Sequence, residues 1–201
     1  MTRRLLQTRN VTQVHATRVS WLLLAVGLAG CSDTIASSDF EASADGWTMA
    51  GDVLPQPELR ATGGNPGGCI CGTDLMMADI WYFVAPAKYL GNVSRAYGKR
   101  LTWDIKGSSQ YYLIKGRDLV MQGPGVSIIY NVTDAPGLDW TPYSATIDDK
   151  SGWKLDTPEQ PDATADQIKS VLEDLHALRI RGEYVDGPDH ECLDNVEFGI
   201  K

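Results

Sequence analysis

Short extended stretches follow one another along most of this chain, each closed by glycine, proline, asparagine or aspartate. GWTMAGDV, PELRAT, DIWYFVAP, KRLTWDI, RDLVMQG, VSIIYNV, YSATI, LRIRGEY and DNVEFGI carry the alternating, β-branched and aromatic texture of strands. GGNPGG, KGSSQ, GPG, DAPG, DDKSG and DGPD lie between them as turn signals. Many short strands at such spacing must pair with antiparallel neighbours and bury one face. The expected fold is mainly β, an antiparallel β-sandwich. One helix interrupts the pattern. TADQIKSVLEDLHAL sets Ile168, Val171, Leu172 and Leu175 on one face, and Thr164 with Gln167 forms a capping box behind Pro161. His176 is expected at the end of this helix, in solvent.

The N-terminus points to export. Arg3, Arg4, Arg9 and Arg18 precede the apolar run VSWLLLAVGLAG, which is too short for a comfortable permanent span. It ends in LAGC, and small residues before a cysteine resemble the bacterial lipobox, so Cys31 is expected to be lipidated. Ser32, rather than aspartate, follows, which in Gram-negative lipoproteins implies outer-membrane sorting. The expected organisation is a signal peptide over 1–30, a lipidated tether over 31–38 and one domain over 39–201. The membrane contact is through the anchor alone.

Charge narrows the partners. The chain has 18 Lys+Arg and 26 Asp+Glu, and the four leader arginines leave 14 bases against 26 acids, a balance of −12. Such a surface repels nucleic-acid phosphates and is compatible with neutral sugars, cations or basic partners. Cys69, Cys71 and Cys192 remain after Cys31, an odd number for an oxidising compartment. A bridge from Cys69 or Cys71 to Cys192 would tie an early strand to the last. A Cys69–Cys71 bridge and a Cys-x-Cys zinc site are the alternatives.

Catalytic constellations are poor. His176 and His190 are the two histidines after the leader, and GxSxG, HExxH and P-loop patterns do not occur. Asp148–Asp149 and Asp186/Asp189 sit in polar turns, where carboxylates stay ionised, so a hydrolase is the weaker reading. A non-enzymatic binding module is expected.

Two longer segments carry a family resemblance. WYFVAPAKYLGNVSRAYGKRLTWDI, and PDATADQIKSVLEDLHALRIRGEY followed by LDNVEF, are similar to the signature of the laminin IV type A (laminin B) domain. Ser151–Trp153 resembles the Gly-Trp before that family's helix. The resemblance runs from about Asp39 to the C-terminus, without the family's flanking cysteine-rich repeats. It implies a jelly-roll sandwich like galactose- and carbohydrate-binding modules, recognising a glycan or an extracellular protein at the cell envelope; a purely structural envelope role is the alternative. It further implies that SDFEASADGW is the opening strand and lies beside LDNVEF. By resemblance, the two would share a structural Ca²⁺ held by Glu41 and Asp194 carboxylates, an Asp39 carbonyl and a carbonyl near Gly64.

The aromatic residues divide. Trp47, Trp81 and Trp103 are expected in the core, and Trp140, Tyr143 and Trp153 in a looser region. Trp140 and Tyr143 are the candidate sugar platforms. Within YLGNVSRAYG, Gly91 and Gly98 allow sharp turns, so Tyr89, Leu90 and Tyr97 are expected to fold back and plug the sandwich end. Its Asn-Val-Ser is a formal glycosylation acceptor, without meaning in a bacterial lipoprotein.

Overall fold

A computed structural model describes residues 34–74, 80–109 and 116–201. The leader and Cys31 lie outside the described residues. Strands run β1 Ala36–Ser38, β2 Thr48–Ala50, β3 Glu58–Gly64, β4 Gly67–Thr73, β5 Tyr82–Val84 and β6 Arg100–Lys106. They continue as β7 Leu119–Gly123, β8 Val126–Tyr130, β9 Thr141–Thr146, β10 Lys154–Leu155, β11 Ala177–Arg181 and β12 His190–Ile200. One helix, α1 Ala165–Glu173, precedes β11. No helix among the described residues is long and apolar enough to cross a membrane.

All the strand pairs are antiparallel and form two sheets. The first has the order β3-β4-β12-β6-β9, with β1 alongside the second half of β12; the second has the order β10-β8-β7-β11-β5-β2. Their apolar faces meet on Trp81, Phe83, Leu101, Trp103, Ile180 and Phe198, all fully buried. Burying such side chains contributes roughly 1.5–3 kcal/mol each. The packing is close enough to demand glycine at Gly182, where an added Cβ would meet the Trp81 ring at 2.0 Å. Mainly-β sandwich architecture with one helix near the C-terminus is what the turn-punctuated sequence implies.

YLGNVSRAYG forms two short 3-10 turns, Ala87–Tyr89 and Ser94–Ala96. Tyr89 is fully buried, its hydroxyl 2.9 Å from Ser38 Oγ and donating to the Val196 carbonyl at 3.2 Å. The segment also fastens α1: Val93 N–H donates to Leu172 O, and Gly91 and Leu175 exchange backbone bonds. It is the structural plug expected from its aromatics. The capping box is also present, with Thr164 accepting from Gln167 N–H and Gln167 from Thr164 N–H.

Several expectations are corrected. Residues 36–38, read as tether, are β1, paired from Ala36↔Phe198 to Ser38↔Val196. The opening strand therefore ends at the first residue of SDFEASADGW, which then turns sharply at Phe40 (φ 53°). Trp153 belongs to the core, 1% exposed, with its indole N–H on the Thr146 carbonyl. The helix stops at Glu173, so His176 lies beyond it, its N–H on Gln122 O and its ring beside Asp174.

Candidate functional site

Two features on different faces could act on other molecules. The first is where β12 passes the turn between β3 and β4. Antiparallel pairing brings Asp194 and Asp104 opposite each other, both with little exposure. Asn65 N–H donates to Asp194 Oδ2 at 2.6 Å, and Asn195 N–H to Oδ1 at 2.7 Å. Gly68 N–H donates to Glu41 Oε1 at 3.2 Å. Glu41 and Asp194, far apart in sequence, thus grip the same turn.

The turn leaves no room for side chains. A Cβ on Gly67 would lie 1.8 Å from Glu41 Oε1, one on Gly64 2.8 Å from Asp194 Oδ2, and one on Gly68 2.4 Å from the Phe40 carbonyl. Phe40 and Asn195 hold positive φ angles of 53° and 49°, a conformation that costs a bulky residue free energy. Desolvation, with the Asp104 and Glu41 carboxylates nearby, pushes Asp194 up to about 6 against the pull of its two backbone donors. A buried carboxylate facing other carboxylates is what a cation would relieve. Among the described residues, no carboxylate trio shares the spacing of metal ligands; a cation here would have to be held by the Glu41 and Asp194 carboxylates together with carbonyl oxygens. Gly64 lies in the turn. Asp39 is exposed and its side chain accepts the Glu41 N–H at 3.3 Å. Sequence reasoning missed Asp104, Asn195 and the Phe40 carbonyl, because only the β12–β6 register brings the first to Asp194.

The second feature is a cleft of about 430 Å³ at the β7–β8 hairpin, bounded by β10 and α1. Gln122, Ser127, Asp156, Thr157 and Gln167 line it, with Val126 and Leu155 as its apolar part. Gln122 and Ser127 are cross-strand partners. Arg179 Nη1 donates to Gln122 Oε1 at 3.5 Å, and Arg117 Nη2 to Asp156 Oδ2 at 2.9 Å. Amides, hydroxyls and a charge-neutralised carboxylate suit neutral polar ligands. No motif in the sequence marked this cleft, since its walls come from two strands, a short edge strand and the helix.

The proposed aromatic platforms are not brought together. Tyr143 stacks on Trp103 at 5.5 Å and donates its hydroxyl to the Asp134 carbonyl, and burial raises its pKa. Trp140 packs on the cysteines of the other face, its indole N–H on the Gly63 carbonyl at 3.0 Å. Those cysteines resolve the pairing: Cys71 and Cys192 form the disulfide, and Cys69 is a buried thiol. Asp148 and Asp149 sit near the Tyr97 turn, where Tyr97 donates to Asp149 at 2.7 Å. Asp189 instead is buried, accepting from the Trp81 indole at 3.2 Å; Asp186 is exposed.

Comparison with known proteins gives a consistent outcome. The profile of the family Laminin B (Domain IV) matches residues 82–200. Laminin subunit gamma-1 of Xenopus tropicalis is 26% identical over 151 residues, covering 73% of this chain and 9% of its own length. Laminin subunit gamma-2 of Homo sapiens is 31% identical over 128 residues, 59% of this chain and 10% of its own. The chain thus spans about a tenth of these relatives. Among solved structures, the L4b domain of human laminin alpha-2 superposes with a TM-score of 0.52 at 17% identity, over 60% of this chain and 70% of that one. The family 11 carbohydrate-binding module of Clostridium thermocellum, solved in complex with a β-1,3-1,4-mixed-linked tetrasaccharide, gives 0.54 at 12%, over 81% and 93%.

Proposed function

Because the chain belongs to the laminin B (domain IV) family, we propose that it is a non-catalytic binding module that recognises a glycan through the cleft at the β7–β8 hairpin. The observation that carries this is the lining of that cleft: amide and hydroxyl groups in a space of about 430 Å³, with its one carboxylate already paired to Arg117. Sugar hydroxyls need such neutral donors and acceptors, and an unpaired charge would be costly to desolvate. The tetrasaccharide-binding neighbour of like fold supports the same ligand class. Gln122→Ala combined with Thr157→Ala should weaken retention on a polysaccharide or glycan array at least tenfold, about 1.4 kcal/mol, with an unchanged melting temperature. If Trp140→Ala abolishes retention while the cleft variant keeps it, the sugar lies elsewhere. Capture of an envelope or extracellular protein with no glycan retained would favour the protein-partner reading.

A structural Ca²⁺ at Glu41 and Asp194 belongs to the same proposal. Carboxylates from β12 and from the residues after β1, with the Phe40 carbonyl, supply hard oxygens that would lock the first and last strands together. Removing calcium with a chelator at pH 7.5 should lower the melting temperature by several degrees, and Glu41→Gln should remove the response. Affinity should fall as pH drops through about 6, where Asp194 takes up a proton. A melt indifferent to chelator and to added calcium would refute the site.

Export and attachment at Cys31 are supported by the leader's pattern and by the disulfide, a bond that persists in oxidising compartments. Palmitate label should follow the chain in a bacterial host and vanish in Cys31→Ser. Labelling that survives the substitution, or never occurs, would remove the anchor from this account.

A further inference from the structure

The residual thiol lies beside the bridge. Cys69 and Cys71 point to the outer face of the first sheet from β4, and Cys192 stands directly across from Cys71 on β12. The Cys69 and Cys71 sulfurs are 3.8 Å apart, and all three sulfurs lie within 4.8 Å of one another. Thiol–disulfide exchange needs the attacking sulfur in line with the S–S bond. An in-line Cys69 would stand farther from Cys192 than 4.8 Å, because the two shorter separations would then add. The sulfurs form a triangle, which is the wrong shape for internal exchange.

A triangle of thiolates suits a shared ion. Two thiolates on one tetrahedral zinc, each at about 2.3 Å, stand about 3.8 Å apart. We propose that, with the bridge reduced, Cys69, Cys71 and Cys192 hold one soft d¹⁰ cation such as Zn²⁺, with His190 as the fourth ligand. His190 Nε2 lies 3.8 Å from Cys192 Sγ. Its Nδ1 is 2.7 Å from Thr73 Oγ1, and a proton donated there leaves the Nε2 lone pair facing the sulfurs. The β4–β12 ladder fixes the backbone of Cys71, Cys192 and His190, and the β3–β4 ladder that of Cys69 opposite Arg60, so side-chain rotation of Cys192 away from Cys71 is the movement required.

Access and charge also fit. A cleft of about 220 Å³ opens onto Cys69, Cys192 and His190, and Arg60 and Lys106 are among the residues of its walls. Three thiolates around a divalent ion leave one net negative charge. Arg60 Nη1, 4.0 Å from Cys192 Sγ, and Lys106, the cross-strand partner of Cys192, offset it. Thiols lose their protons on ligation, so affinity should increase with pH. Opening the site requires a dithiol or phosphine reductant. It supplies two electrons, the Cys71–Cys192 bond becomes two thiols with protons from solvent, and each thiol releases its proton when it ligates the ion. Oxidation reverses this, so one set of sulfurs holds either a covalent bridge or a metal. Sulfur ligands set this site apart from the oxygen-lined calcium site.

The test uses the full chain carrying Cys31→Ser, reduced with a phosphine and titrated anaerobically with Co²⁺. A thiolate-to-cobalt charge-transfer band should saturate at one equivalent and be bleached by one equivalent of Zn²⁺. Cys69→Ser and His190→Ala should each weaken binding by roughly 10–100-fold. Absence of the band, or an undiminished band in Cys69→Ser, would overturn the proposal. Should reduction unfold the sheet, Zn²⁺ added to the reduced chain should restore the near-ultraviolet circular dichroism, and a chain that stays unfolded with zinc would equally overturn it.

Discussion

Replacing Cys71 and Cys192 together by alanine should cost about 5 kcal/mol of stability, the largest loss expected from any change outside the core. The bridge joins residues separated by 121 positions, and closing so long a loop removes much of the unfolded chain's entropy. It also ties β4 to β12, the strand that carries Asp194 and borders β1 and β6. Urea unfolding of the wild type and the double variant measures the difference. A loss under about 1 kcal/mol would mean that the ladder already holds the unfolded chain's local structure without the bond. The alanine pair avoids a buried unpaired thiol at either site, so the comparison reads the cross-link itself.

Glu191→Gln should make the protein more stable, and more so as the pH rises. Glu191 is fully buried on the inner face of β12. Its Oε1 accepts a long hydrogen bond from Ser108 N–H at 3.5 Å, and its carboxyl faces that of Asp189, with which it can bond only while it carries a proton. Desolvation and the neighbouring Asp189 push its pKa up to about 10, and Glu183, also buried, rises to about 7 through desolvation with Asp189 and Asp74 beside it. Arg181 is the cation that pulls Glu183 the other way.

The folded chain therefore keeps protons that the unfolded chain gives up near pH 4.5. Where the native state binds more protons, stability falls with rising pH. The contribution of Glu183 is lost between about 4.5 and 7, and that of Glu191 from 4.5 toward 10. Glutamine has nearly the same shape and no charge to desolvate. The variant should match the wild type at pH 5 and exceed it by on the order of 2–3 kcal/mol at pH 8. An equal difference at the two pH values would show that titration of Glu191 is not its source.

Parts of the molecule were readable before any coordinates. Trp47, Trp81 and Trp103 are all buried, Trp103 within β6 and the other two immediately before β2 and β5, as aromatic residues among short strands with one dry face should be. Thr164 and Gln167 announce the helix start, because their bonds are local and need no distant partner. Other parts were not readable. Ala-Ser-Ser at 36–38 has a tether's composition and becomes a strand because β12 offers it an open edge. Trp153 follows a turn-rich stretch and is buried because the fold brings it into the core, with the Tyr130 ring 5.4 Å away.

The sequence by itself determined the class of fold, the start of the helix and the aromatic plug, since each follows from short-range periodicity, capping or turn chemistry. The tertiary structure alone decided which cysteine pairs with Cys192, that Glu41 and Asp194 meet across one turn, and that a polar cleft forms against α1. Those outcomes depend on strand order and register, which are set by long-range packing of two faces and leave no mark in the spacing of neighbouring residues.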